Sequence, residues 1–479
     1  MVLLYTVSPF NLWCDLFAPQ SEKDPEPESL KILAKIGNLE EDKYVQETYP
    51  QMQTIEVETR EQGFFEVLKR CFEGATAFHS APLIYLPEQM LGIPDILEKS
   101  IDHKSIFGKH HYVVKEKKTT IEPQKKHVLQ AALNNYIIGK IQGYTPPTFL
   151  IVNRNNKEFT FSYELFADQL QNSIAGIRNI LGGETVTPTK GALQDPWKSY
   201  GMRKAKEIGD ISLVSGVGQQ KKELLVRAGI RTISDMKNAD IGLSKVKGVG
   251  MSSFVKWRTH AEAILEDRII PMAFPPLRPY EIEIFLDLEG TYDLSNLFLQ
   301  QLGITSSESW SNTTYLIGTL VVQKDKREYV PYFAATVDQE KAILLEFISS
   351  LRSKQNYVIY HYGTYEKTRI NQMLEKYGIK DDFTSTMVDL SHVLKNSAMF
   401  PTYSFGLKDV AKRLGFSWSQ QGMDGFLSIA HYLTYLETQD HDEVVKILKY
   451  NEEDCEATCL VKDFLDSLRQ QTPLGKQMR

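Results

Sequence analysis

Asp287 and Glu289 stand one residue apart at the end of an apolar run, IFLDLEGT at 284–291. Side chains alternate along a strand, so both carboxylates face one side, where like charges repel unless a proton or a cation lies between them. About eighty positions later, YVIYHYGTYEKTRI offers Glu366 at a predicted helix start behind a buried strand. Near the end of the sequence, LKYNEEDCEATCLV places Tyr450 and Asp454 four apart, on one face of a helix. Two acids from a strand, one from a helix start and one beside a tyrosine can together ligate two divalent cations. Hard ions such as Mg²⁺ or Mn²⁺ prefer carboxylate oxygen. A pair of them can activate water and stabilise the leaving oxygen of a phosphodiester, with Tyr450 orienting the water.

A second set lies earlier. GIPDILEKS supplies Asp95 and HYVVKEKKTT supplies Glu116 and Lys118, which point to one side of a strand. The two acids can hold a divalent metal while the Lys118 ammonium positions or helps deprotonate a water. Lys115, Lys117 and Lys118 fit equally well as the solvated edge of a strand, and Asp95 as a turn acid. The bland alternative exists for the later set too, since D-x-E, a helix-starting Glu and Y-x-x-x-D each occur without any site.

A third feature is a near repeat. LVSGVGQQKKELLVRAGIRTISDM and LSKVKGVGMSSFVKWRTHAEAIL both place Gly-Val-Gly before a helix, at Gly216/Gly218 and Gly248/Gly250. Glycine lets a turn approach a phosphate closely, and the free N–H groups of the following helix favour an anion. The repeat lies in a basic stretch: Lys190 to His260 carries fourteen Lys/Arg against six Asp/Glu, in a chain whose formal net charge is −6. The alternative is a pair of αα-turns used only for packing. The overall acidity argues against a protein that coats nucleic acid non-specifically.

The elements that must position these residues are set by patterning. Apolar runs in PLIYLP, GIPDILEK and HYVVKEKK predict strands, and KKHVLQAALNNYIIGKIQ predicts an amphipathic helix. EIEIFLDLE, TTYLIGTLVV and NYVIYHY predict strands, QEKAILLEFISSLRS a helix, and the sequence after NYVIYHY reads as mostly helical, an α/β order. A length of 479 residues calls for roughly two to four domains. TPTKGALQDPWKS (187–199) and MAFPPLRPY (272–280) are the linker candidates, dividing the chain into 1–188, 189–270 and 271–479. No apolar run approaches the roughly 18 residues of a membrane span. MVLLYTVSPFNLWCDLFA has neither a basic start nor a small-residue cleavage site, so a cytoplasmic protein with no membrane contact is expected. Cys14, Cys71, Cys455 and Cys459 are too scattered for a disulfide framework or a zinc site. Among isolated residues, His79 and His361 read as packing or strand-ending histidines, and His431 and His441 lack ligand partners at useful spacing. Trp197, Trp257 and Trp418 read as core rather than base-stacking positions, and Asp389 is a candidate further acid of the third part.

The third part resembles the DEDD exonucleases of the RNase H-like superfamily, tyrosine variety. It has D-x-E at 287/289, the second motif at Glu366 where Asp is usual, Y-x-x-x-D at 450/454, and PTYSFGLKDVAKRLGFSW (401–418) ahead of the last motif. The first part resembles RecB-like PD-(D/E)XK nucleases through Asp95, Glu116 and Lys118. KIGNLEEDKYV matches their first-helix motif, with Glu41 at its acidic position and Glu40 where His is frequent. Gln130 stands at the glutamine motif, with Asn134 where Tyr is expected. DPWKSYGMRKAKEIGD has no Cys where relatives hold an iron–sulfur cluster, so none is expected. The middle resembles a tandem helix-hairpin-helix module, which binds the sugar-phosphate backbone without reading sequence.

These resemblances imply an α/β multidomain protein. Its parts would be a PD-(D/E)XK restriction-endonuclease-like domain, a small all-α helix-hairpin-helix domain and an RNase H-like three-layer α/β domain. They further imply an Mg²⁺- or Mn²⁺-dependent nuclease. The C-terminal site (Asp287, Glu289, Glu366, Tyr450, Asp454) would remove nucleotides from 3′ ends, and a second site (Asp95, Glu116, Lys118, with Glu41) would cut single strands or flaps. Nucleic acid is the expected partner, DNA ahead of RNA. Two other functions stay open: a nucleic-acid-binding scaffold in which one or both nuclease folds are inactive, and an RNA-processing exonuclease.

Overall fold

The computed structural model of the chain describes residues 1–25, 41–52, 55, 58–240, 248–273, 275–291, 313–324, 326–420 and 422–471. The sequence expectations on 35–40 and 241–247 lie outside them. The chain divides into two compact units, Met1–Glu207 and Ile208–Arg479, so the glycine repeat belongs to the second unit. Residues 187–199, expected as a linker, fold into the first. Their polar composition hides one large anchor: Trp197 is fully buried with Phe10, Cys14, Leu193 and Tyr200, and its indole donates to Asp15 at 2.7 Å. The 272–280 stretch is also held, with Leu277 in the core of the second unit and its carbonyl accepting from Arg469 at 2.8 Å.

Among the described residues the first unit forms β1 (Ala77–His79), β2 (Leu83–Tyr85), β3 (Met90–Gly92), β4 (Ile96–Ser100), β5 (His111–Lys117), β6 (Thr148–Val152) and β7 (Glu158–Ser162). The main sheet runs β1-β4-β5-β6-β7, and β2 and β3 pair separately. β5 and β6 are parallel, so a crossover must join them. The helix Lys125–Gln142 supplies it. That helix is not amphipathic. It lies between the sheet and the helices Val2–Val7 and Glu164–Leu181, which bury Leu129, Ala132, Asn134, Asn135, Ile137 and Ile138 around its circumference. Because β5 is central, its lysines are not a solvated edge: Lys115 reaches Glu158 at 2.7 Å, Glu98 at 2.9 Å and the Tyr49 hydroxyl at 3.0 Å. Lys117 is bonded to the Asn153 carbonyl at 2.5 Å.

In the second unit β8 (Ile270–Pro271) pairs with β14 (Ala398–Met399). The main sheet is built from β9 (Ile282–Gly290), β10 (Thr314–Gln323), β11 (Lys326–Phe333), β12 (Tyr357–His361) and β13 (Met387–Asp389), in the order β11-β10-β9-β12-β13. β9 is central, antiparallel to β10 and parallel to β12. Alternation puts Glu283, Phe285, Asp287 and Glu289 on one face of it. The long helix His441–Gln471 runs along that face in the opposite sense. Lys462 pairs with Glu283 at 2.5 Å, Cys455 and Cys459 share the core with Phe285, and Asn451 meets Asp287 at 2.7 Å. His260, from the helix Met251–Glu266, accepts from the Ser215 N–H on Nδ1 and so donates from Nε2 to the Thr402 carbonyl, each at 2.9 Å. That imidazole ties the first glycine turn to the segment before the last acidic motif. Among the described residues no helix is long and apolar enough to cross a membrane.

Candidate active sites

Asp287, Glu289 and Asp454 bring carboxylate oxygens within 4.8 Å of one another, the arrangement expected for a metal-holding group. Burial raises the Asp287 carboxyl well above its usual range, with Asp454, Glu289 and Glu366 adding repulsion. Burial, then the charge of Asp454, lifts Glu289 to about 8, and burial lifts Asp454 to about 6 against bonds from Trp418 and Tyr450. Groups so placed bind protons when no cation is available, and a divalent ion removes the same repulsion. The donor set, all hard oxygen, suits Mg²⁺ or Mn²⁺.

Besides Tyr450, the cluster is held by residues that motif spacing did not single out. Trp418, expected as core, donates from Nε1 to Asp454 at 2.7 Å. The Lys408 ammonium lies 4.9 Å from the centre of the Tyr450 ring and is bonded to the Met423 carbonyl. The Tyr450 hydroxyl bonds Asp454, and burial together with that carboxylate raises its pKa. Asn451 is fully buried. It donates to Asp287 at 2.7 Å while accepting from the Tyr329 hydroxyl at 2.8 Å, which fixes its amide orientation. Room for it comes from Gly318, the partner of Asp287 across β9 and β10. A Cβ there would lie 1.5 Å from the Asn451 Oδ1. Gly318→Ala is therefore expected to push Asn451 off Asp287 and cost about 1–3 kcal/mol. Thermal unfolding with and without Mn²⁺ measures both effects, and an unchanged melting curve with unchanged Mn²⁺ stabilisation would refute it.

Glu366 lies in the first turn of the helix Tyr365–Lys376 and is buried. It stands outside the three-acid group but close enough to Asp287 to raise it. His361, at the end of β12, places Nδ1 3.4 Å from the Glu366 Oε2, so it does more than close the strand. Asp389 does not join the site: its carboxylate caps the helix Leu390–Ser397, accepting from Ser391 and His392, and accepts from the Gly363 N–H. His431, read as lacking ligand partners at useful spacing, bonds Glu443.

In the first unit Asp95, Glu116 and Lys118 do meet. The Lys118 Nζ lies 2.8 Å from Glu116 and 3.0 Å from Asp95. Glu116 is fully buried and also accepts from Asn134 at 2.7 Å. Burial and Asp95 raise Glu116 to about 8 against the pull of Lys118. Two acids and one ammonium leave one negative charge in a dry setting, which favours a further proton or cation. Glu41 does not touch these acids. It accepts from the His79 Nε2 at 2.9 Å, and this bond above all raises the imidazole pKa, so His79 is more than a packing residue. Gln130, one turn before Asn134, takes no part in the Glu116 bonds. Asn134 does, and its place four residues after Gln130, where the family has Tyr, was the available signal.

Gly216 and Gly248 both have left-handed backbone, with φ of 87° and 90°. Val217 and Val249 then turn inward, and Gly218 and Gly250 form the N-caps of the helices Gln219–Arg227 and Met251–Glu266. Neither helix has a side-chain cap or an acid in its first turn, and nothing lies within 4 Å of where a Cβ would sit on Gly218 or Gly250. The Lys221 ammonium bonds the Gly248 carbonyl, joining the two turns. Lys222 is buried against Asp210 at 2.8 Å, so this lysine of the basic stretch is structural. Trp257 is buried as expected.

No curated protein matches the chain. Residues 304–466 match the family model of the RNase H superfamily, a span that begins beyond Asp287 and Glu289 and takes in Glu366, Tyr450 and Asp454. The C-terminal part of this chain thus carries an RNase H-like domain, which points to a nuclease-type hydrolase acting on nucleic acid.

Proposed function

We propose that the chain is a divalent-metal-dependent nuclease, preferring DNA, whose second unit removes nucleotides from 3′ ends and whose first unit carries a second phosphodiester-cleaving site. The observation that carries this is the Asp287–Glu289–Asp454 cluster, with its raised carboxyls, in which the strand acids Asp287 and Glu289 meet Asp454 of the RNase H-like span. Divalent cations held by these acids and Glu366 would neutralise the scissile phosphate and activate water. Tyr450, bonded to Asp454, positions the attacking water, and Lys408 supplies a fixed positive charge beside the acids. The two glycine turns offer uncapped helix N-termini to backbone phosphates, a contact that depends on charge and shape rather than base sequence. In the first unit, Asp95 and Glu116 would hold the cation, and the Lys118 ammonium beside them would position a water.

Degradation of 3′- and 5′-labelled single strands, DNA and RNA side by side, with Mg²⁺ or Mn²⁺, tests the assignment. Asp454→Ala is expected to remove stepwise loss from the 3′ end, and Lys118→Ala the remaining cutting. A wild-type protein that binds these strands yet cuts none of them with either ion would defeat the proposal in favour of a nucleic-acid-binding scaffold.

A further inference from the structure

Three buried polar atoms at the end of β12 and in the first turn of the helix that follows it have no hydrogen-bond partner: Nδ1 and Nε2 of His361 and Oε2 of Glu366. Only 1 % of His361 and 6 % of Glu366 is exposed. Leaving one such group unpaired costs roughly 1–3 kcal/mol, so three in a single contact are a heavy burden for a structural pair. The two side chains do not relieve each other, because Nδ1 and Oε2 are 3.4 Å apart in an alignment that makes no hydrogen bond. That separation has another use. Two donor atoms bound at right angles to one octahedral cation, each at about 2.1 Å, lie about 3 Å apart. His361 ends β12, the strand next to β9, and Glu366 acts on Asp287 through its charge.

We propose that His361 is a nitrogen ligand that, together with Glu366, holds a divalent cation on the Asp287 side of the cluster. This deepens the metal-dependent nuclease reading and rests on it. An imidazole nitrogen in an otherwise oxygen-only set shifts preference from Mg²⁺ toward transition ions, so this position takes Mn²⁺ over Mg²⁺. Ligation through Nδ1 also fixes the proton on Nε2.

Mn²⁺ binding to the full chain, followed by titration calorimetry and by the paramagnetic resonance of free Mn²⁺, tests this without reference to activity. His361→Leu is expected to lose one bound Mn²⁺ or weaken it at least tenfold, with a smaller change for Mg²⁺. Its metal-free melting temperature should equal or exceed that of wild type, because an apolar side chain replaces an unpaired polar one. His361→Asn, which retains a ligand atom near the Nδ1 position, should recover part of the binding. A purely structural histidine gives the opposite pattern, a lower melting temperature with Mn²⁺ number and affinity unchanged, and that result overturns the assignment. Asp287→Asn separates the two levels: if it too leaves Mn²⁺ binding untouched, the metal site itself is misassigned, whereas loss in Asp287→Asn alone removes only His361.

Discussion

Asp287→Asn is expected to lower cutting by the second unit about 10³-fold or more, while the metal-free protein melts at or above the wild-type temperature. Both effects come from the same geometry. Asp287 shares a space of under 4.8 Å with Glu289 and Asp454, so its charge serves a cation and harms the empty fold. An amide at 287 still accepts from Asn451, which keeps the local bond and removes only the charge. The pH dependence has a definite sign. Folded-state carboxyls at about 6 for Asp454 and about 8 for Glu289 lie above the unfolded values near 4, so the folded state binds protons more tightly. Metal-free stability is therefore greatest below pH 4 to 5 as far as these groups are concerned, and is lost as pH rises through 6 and 8. Unfolding in a chelator at pH 5 and pH 8.5 should show a steeper loss for wild type than for Asp287→Asn. Mn²⁺ should restore wild type most at the higher pH. Equal pH slopes for the two proteins would count against a repelling cluster at this position.

The alternation in IFLDLEGT is enough to place both acids on one face of a strand, and the four-residue spacing of Tyr450 and Asp454 is enough to place them on one helix face. Local periodicity decides such matters. It says nothing about which strand is central, and that is what turns Lys115 and Lys117 from a predicted solvated edge into buried, paired ammoniums. The same lack of long-range information hides Gly318, whose value comes from facing Asp287 across a sheet and giving Asn451 room. Trp418 and Lys408 fall inside a segment whose family resemblance is legible, but which acid each serves depends on how that segment lies against the long helix. Trp197 draws the expected linker 187–199 into the first unit because one buried indole outweighs the polar, proline-containing sequence around it. Asp389 shows the reverse error, an acid in a suggestive place that satisfies helix N–H groups instead.

Lys118→Met should cost the first unit about 3–5 kcal/mol, the penalty for removing one partner from a buried ionic set. Lys118 is the charge that makes Asp95 and Glu116 tolerable so near each other. Burial alone would draw its pKa down, but Glu116 and Asp95 outweigh that and hold the ammonium above its usual range. Methionine keeps the length of the side chain and leaves two acids facing each other, Glu116 with no exposure at all. Protonation can relieve them, so the deficit should shrink as pH falls from 8 toward 5, where the folded variant binds the compensating protons. Chemical denaturation of wild type and variant across that range measures it, and a deficit under about 1 kcal/mol at pH 8 would mean the three groups are not coupled as their distances imply. Metal then divides the two uses of the site. If Asp95 and Glu116 are cation ligands, Mn²⁺ takes over the neutralising role and recovers much of the lost stability, although cutting by this unit stays absent without the ammonium beside the water. If the trio is only a structural ion cluster in an inactive fold, Mn²⁺ leaves the Lys118→Met deficit where it was.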